Sequence, residues 1–276
     1  MVIHYIQLLI KNNVEVLNVN ELIDSKSGMS CYEDVKMESP IQRNEPNTFV
    51  VKGIKRWAVQ MIASLLIFGL LLFVLAGKWT WTAGWVYLGM NAITQLLSAI
   101  VLIPRQAEML SERSKVREGT KGWDRVLAPA IVIVGTLAVL TTAALDARFG
   151  WSRPVDVGLC GFGVVLAFTS QMFVLWAMAS NPFFAATVRI QEDRGHKVTT
   201  SGPYQFVRHP GYSGSLLYTL LVPLVLRSWW TFFPALMTVA LIVIRTRLED
   251  QTLQAELPGY KEYTSRVQYR LIPGIW

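Results

Sequence analysis

The sequence predicts an all-α integral membrane protein, with four transmembrane helices followed by a C-terminal helical hairpin. Three observations carry this. The 276 residues are 52% hydrophobic and only 16% charged, with a mean hydropathy of +0.36, whereas an ordinary soluble domain has about 25% charged residues. The apolar residues gather in long runs without a charged side chain, and the basic residues fall between alternate runs.

Residues 1–50 are polar, balanced in charge and without sustained periodicity. With the turn-forming Asp24-Ser25-Lys26-Ser27-Gly28 and Ser39-Pro40, they read as a mobile polar N-terminal arm ahead of a membrane domain over 51–276. Residues 2–10 are too short for a secretory signal, have no basic residues before them, and are followed by Lys11-Asn12-Asn13 without a small-residue cleavage site. Met29 and Met37 are alternative natural starts, which would make the upstream segment, residues 1–36 for the later one, an extension.

Residues 57–77, 81–103, 126–145 and 157–180 follow as four uncharged runs. Each is long enough to cross a hydrocarbon core of about 30 Å at about 1.5 Å per helical residue. They are apolar all round rather than alternating as barrel strands would be, so helices are the better spanning solution. A fifth run, 212–244, is too long for one straight span. Arg227-Ser228-Trp229-Trp230 interrupts it between Pro223 and Pro234, so it reads as a hairpin of two limbs joined by a turn with interfacial aromatics.

Lys52, Lys55 and Arg56, the basic residues of 105–125 and 189–208, and those from Arg245 onward make eighteen Lys/Arg on one side. Lys78, Arg148, Arg153 and Arg227 are the four on the other. The positive-inside rule then places the N-terminus, the loop before Tyr212 and the C-terminal tail in the cytoplasm. The net charge of +7 is therefore a topology signal, not a nucleic-acid footprint, which requires basic residues clustered on a solvated face.

Cys31 and Cys160 suggest neither a disulfide framework nor a cysteine metal site, and His4, His196 and His209 form no helical metal pair, so no metal is expected. Gly161-Phe162-Gly163 imitates part of a dinucleotide fingerprint but lies inside a transmembrane run, where close helix packing by Gly158, Gly161 and Gly163 is the better reading.

The chemically dense parts are the loop 181–213 and the tail 245–276. The loop holds Ser201-Gly202-Pro203-Tyr204-Gln205-Phe206-Val207-Arg208-His209-Pro210-Gly211-Tyr212, a mixture of turn formers, aromatics, a cation and an imidazole. Two readings are open here: a ligand site, or an interfacial anchor with Tyr204, Phe206 and Tyr212 among headgroups and Arg208 on lipid phosphate. In the tail, the last helix continues until Leu257-Pro258-Gly259. Arg245 and Glu249, four apart, share one of its faces, either as a plain surface ion pair or as a cation and an anion facing a common space.

The stretch from His196 through Gly214, with Arg245-x-x-x-Glu249-Asp250-x-x-Leu253 and Tyr269-Arg270-Leu271-Ile272-Pro273-Gly274-Ile275-Trp276, resembles the isoprenylcysteine carboxyl methyltransferase family, which is related to the phospholipid N-methyltransferases. The resemblance covers about the last 85 residues. It departs at Leu257-Pro258-Gly259-Tyr260, where the family has a longer Phe-Gly-containing segment.

The resemblance implies an integral-membrane enzyme transferring a methyl group from S-adenosylmethionine, with a cytoplasmic cofactor site formed by the loop and the tail, mainly within 189–276. Carried over by position, His196, Lys197, Val198, Thr199, Tyr204, His209, Pro210, Gly211, Tyr212 and Glu249 would line the cofactor site, and Arg245 would orient the substrate. His209 or Glu249 would serve as base if the acceptor is an amine; a carboxylate acceptor needs none. The substrate is expected to be lipophilic and to come from the bilayer. A prenylated cysteine, a lipid and a small isoprenoid acid all remain open as acceptors. Membrane sterol reductases, which bind NADPH and share a Tyr-Arg-x-x-Pro tail, are the nearest different reaction. A transporter is the non-enzymatic alternative, against which stands the lack of charged residues within the spans.

Overall fold

The computed structural model describes residues 45–114 and 118–276, and among them every regular element is helical. Most of the polar arm, with Cys31, Met29 and Met37, lies outside the described residues. Its last six residues belong to α1, Glu45–Ala76, within which the stretch apolar enough to cross a membrane begins at Val50. Then come α2 (Thr82–Arg105), the short α3 (Ala107–Arg113), α4 (Asp124–Phe149) and α5 (Val157–Ser180). α6 (Pro210–Val225) and α7 (Phe232–Glu256) form the hairpin, and α8 (Tyr260–Arg266) lies in the tail.

Four helices, α1, α2, α4 and α5, are long and apolar enough to cross a membrane. Their outer faces are apolar too. Leu66 on α1 is 69% exposed, with Ile62, Leu70 and Val74 on the same helix also bare, a surface that lipid accepts and water penalises. Inside the bundle, Leu72, Leu140, Val225 and Ala235 bring α1, α4 and the hairpin into one core.

The hairpin turn is fixed by polar contacts at that end of the bundle. Arg227 stands at φ +57° and donates from Nε to Val155 O at 2.7 Å, while Ser228 Oγ donates to the buried Asp146 carboxylate. Trp229 and Trp230 are half-exposed beside it. The turns at 77–81, 150–156 and 226–231 gather at this end. α3, residues 118–123, the loop 181–209 and the tail gather at the other.

Three local features depart from the sequence reading. α3 forms because Met109 and Leu110, fully buried, pack with Ile54 and Trp57 of α1, and Ser111 presses on Gly53 where no Cβ fits. α4 carries a π-helical stretch, Ile133–Ala138, at which Gly135 lies against Thr238 of α7. Of the three glycines read as packing points on α5, only Gly163 is one: a Cβ there would stand 2.7 Å from Leu224 Cβ. Gly161 has open space around it, and Gly158 faces its own cap, Asp156.

α7 continues past Ile244 to Glu256, as the tail sequence suggests. Gly259 at φ +81°, a conformation that suits a residue without Cβ, then lets the chain turn into α8.

Candidate functional site

Loop and tail are joined first through their backbones. Arg208 N donates to Tyr269 O at 2.9 Å and His209 N to Arg270 O at 3.0 Å, and Ser213 Oγ donates to Leu271 O at 2.7 Å. The last residues curl so that Trp276 O accepts from Arg270 N and Leu271 N, with the Arg270 guanidinium 5.1 Å from the Trp276 ring.

Asp250 lies beneath this seam, 0% exposed. It accepts from Arg270 Nε at 2.8 Å, Tyr260 OH at 3.1 Å and Gln254 Nε2 at 2.7 Å, with Arg208 Nη1 at 3.2 Å and His209 Nε2 at 3.3 Å. Burial alone would raise its carboxyl. The hydrogen bond from His209 and the Arg270 and Arg208 guanidiniums win and hold it well below the usual carboxylate range. Arg208 is thus a buried clamp on the tail rather than a lipid-phosphate ligand. Of the aromatics in the interfacial-anchor reading, Tyr204 is buried and Tyr212 faces inward, leaving Phe206 as the one that is largely bare.

A cavity of about 500 Å³ opens between loop and tail, within the range of ligand sites. His196, Lys197, Val198, Thr199, Tyr204, His209, Gly211, Tyr212, Arg245 and Glu249 all line it. Pro210 does not: it is the buried first residue of α6, where a missing N–H costs nothing. Gly211 packs so closely that a Cβ would stand 2.6 Å from the Phe184 ring.

Arg245 and Glu249 both face the cavity but are not joined in an ion pair. Arg245 grips Asp124 at the start of α4, through Nε at 2.7 Å and Nη2 at 3.0 Å, and Nη2 also donates to Ala186 O at 2.8 Å. Asp124 is fully buried and accepts from Val188 N at 2.7 Å as well. Among the described residues Arg245 Nη1 has no acceptor. Glu249 accepts from Tyr212 OH at 2.5 Å, and the Tyr212 ring lies 5.4 Å from Arg245 Cζ.

Asn181 orders the opposite wall. Its Nδ2 donates to Tyr204 OH and its Oδ1 accepts from Thr199 Oγ1, both at 3.1 Å, while Tyr263 OH donates to Tyr204 O at 2.6 Å. Burial raises the Tyr204 phenol, which therefore stays neutral. His196 stacks on Phe183 with centroids 4.7 Å apart and accepts at Nδ1 from Gln191 N, which leaves its proton on Nε2. Burial, then the charges of Arg189 and Arg194, lower its pKa to about 4, so it is neutral near pH 7. Lys197 is exposed at the mouth, and Val198 packs against the cluster of Leu257, Tyr260, Tyr263 and Val267.

Sequence reasoning missed Asp124, Asp250, Asn181 and Arg113, the last also on the cavity wall. Asp250 had a signal, since it adjoins Glu249 in the quoted motif; Asp124 had none, its partner lying 121 positions away. Among the described residues no group of three His, Cys, Asp or Glu side chains is placed to hold a metal ion.

Comparison with known proteins matches residues 159–257 to the family model described as phospholipid methyltransferase, which bears out the resemblance read from the loop and tail. The delta(14)-sterol reductase TM7SF2 of Mus musculus is 31% identical over 161 residues, covering 53% of this chain and 38% of that protein. The uncharacterized protein YpbQ of Bacillus subtilis (strain 168) is 27% identical over 164 residues, covering 58% of this chain and 95% of that one. The chain thus spans well under half of the mouse reductase it matches. The chain is thus similar to a phospholipid methyltransferase family over residues 159–257 and to a sterol reductase over about half its length.

Proposed function

We propose that this chain is an S-adenosylmethionine-dependent methyltransferase that O-methylates the carboxylate of an isoprenylcysteine-like acceptor delivered from the bilayer, with its site, N-terminus and C-terminus on the cytoplasmic face. The observation that carries this reading is the convergence on one cavity of His196–Thr199, Tyr204, His209, Gly211 and Tyr212 with Arg245 and Glu249 of the tail.

The donor set fits the cofactor. An adenine needs flat or apolar walls, which Tyr204, Tyr212 and Phe183 can supply; an ammonium needs an anion, for which Glu249 is available; a carboxylate needs donors, among them His196 Nε2–H and Lys197 at the mouth. When bound, S-adenosylmethionine supplies an activated methyl group on a sulfonium. Arg245 would orient an acceptor carboxylate through its free Nη1 edge, its other edge being held by Asp124. A carboxylate is ionised at neutral pH and needs no base, so alignment and exclusion of water supply the acceleration. Ala128, Ile131 and Val132 of α4 and Val174 of α5 give the cavity an apolar wall facing the bilayer-spanning part of the chain, suited to a lipid chain. His209, fixed between Asp250 and Tyr260 Oη, positions the α6 terminus; it or Glu249 would act as base only for an amine acceptor.

The mouse reductase similarity favours a second reading, NADPH-dependent reduction of a sterol-like lipid. Glu249 in the cavity wall counts against a polyphosphate ligand there.

Incubation in detergent micelles with methyl-labelled S-adenosylmethionine and N-acetyl-S-farnesylcysteine tests the proposal. Label released as methanol by mild base is the expected result, as a methyl ester requires. Base-stable label on added phosphatidylethanolamine would move the assignment to N-methylation, and no transfer to either would remove it.

A further inference from the structure

The arginines of the cavity wall are not equivalent. Arg189 pairs with Glu112 at 2.6 Å and with Asp193, Arg208 with Asp250, and Arg245 with Asp124. Arg113, on the last turn of α3, lines the same cavity with no carboxylate within ion-pair reach among the described residues. The acid next to it, Glu112, is held by Arg189, and Glu108 on the same helix leans toward Arg194.

Its position is nonetheless fixed. Arg113 Nη1 donates to Ala185 O at 3.1 Å, and its guanidinium lies 5.0 Å from the centroid of Phe184, the ring that packs on Gly211. Arg245 is anchored on the next residue of the same loop, through Ala186 O. Two guanidiniums are therefore held on consecutive residues at one wall, and the carboxylate of Asp124 is bound to Arg245 alone. A cation withdrawn from bulk water without a counter-ion is costly, and a ligand that brings a carboxylate offsets that cost. Burial, and then the charge of Arg245, lower the Arg113 pKa to about 10, which still leaves it protonated at neutral pH.

The geometry points to Arg113 as a carboxylate-binding residue of this cavity, receiving an acid group of the ligand beside Arg245. The inference rests on the methyl-transfer reading and deepens it. Two ligands carry the required group: the methionyl carboxylate of the cofactor, and the acid of the acceptor.

Calorimetry on the full chain in detergent, as wild type, Arg113→Gln and Arg113→Lys, separates them with matched probes. S-adenosylhomocysteine is compared with 5′-methylthioadenosine, which lacks the amino-acid carboxylate, and N-acetyl-S-farnesylcysteine with its carboxamide. Arg113→Gln is expected to weaken one acid by roughly 10- to 100-fold, the range of a charge-assisted hydrogen bond. The matched neutral probe should change less than about two-fold and Arg113→Lys should fall between, since lysine keeps the charge but not the planar fork. The acid affected identifies the source. Unchanged binding of both acids overturns the inference, as does equal weakening of acid and neutral probes, which would mean that Arg113 only props up Ala185. Wild-type protein binding none of the probes would remove the methyl-transfer reading, and this inference with it.

Discussion

Replacing Asp250 with Asn tests whether one buried carboxylate holds the tail on the loop. The substitution keeps the shape and removes the charge. In the native protein that charge meets Arg270 at 2.8 Å, Arg208 at 3.2 Å and His209 at 3.3 Å, at a position with no solvent exposure. Removing one partner of a buried pair costs about 3–5 kcal/mol, because the other partner is left uncompensated. Arg208, 6% exposed at its side chain, bears most of that cost, while Arg270, 28% exposed, regains some hydration. A cost of 3–5 kcal/mol corresponds to a loss of the docked tail by roughly 150- to 4,000-fold. Hydrogen exchange read on the amides of Arg208, His209 and Arg270 should accelerate accordingly while α1 and α2 stay protected. Arg270→Ala alone should accelerate them by no more than about ten-fold. Wild-type protection in Asp250→Asn would refute the clamp.

Three further outcomes follow from the geometry. Glu249→Ala should weaken S-adenosylhomocysteine binding in calorimetry, whereas Arg245→Gln combined with Asp124→Asn, which removes both halves of the buried pair at once, should abolish turnover with cofactor affinity kept within a few-fold; the reverse division would exchange the two roles. Since the His196 pKa is depressed to about 4 against about 6.5 in an unfolded chain, neutral His196 contributes stability above pH 6.5 that is lost as pH falls toward 4. Thermal midpoints should decline across that window and decline less in His196→Asn; parallel profiles would rule the histidine out as the cause. Gly211→Ala places a methyl 2.6 Å from Phe184, costing about 1–3 kcal/mol of overpacking, and a variant with unchanged midpoint and cofactor affinity would show that Phe184 yields freely.

The membrane architecture was legible because it rests on properties summed over long runs. Twenty uncharged residues state a span by themselves, and the run at 212–244 had to fold back because no straight helix of that length fits a bilayer core. The cavity was legible as a list of residues for a different reason: its chemistry is concentrated in two short segments, and nine of the ten residues carried over for the cofactor line it together with Arg245. What stayed hidden depends on partners distant in sequence. Helix geometry says that Glu249 and Asp250 diverge by about 100°, but not that one meets Tyr212 and the other a cluster from loop and tail. The expected closeness of Arg245 and Glu249 was real, yet Asp124, at the start of another helix, takes the cation. Likewise α3 exists because α1 offers Gly53 beneath Ser111, a contact that neither segment announces alone.

We propose that the cavity between loop and tail takes a sulfonium methyl donor rather than a nicotinamide. Thermal unfolding of the full chain in detergent, with S-adenosylhomocysteine or NADPH at saturating concentration, tests it most directly. Binding at 100 times Kd stabilises by about 2.7 kcal/mol, enough to raise the midpoint by several degrees. That shift is expected with S-adenosylhomocysteine, its loss in Glu249→Ala, and none with NADPH. Stabilisation by NADPH alone would contradict it and assign the chain to the reductases.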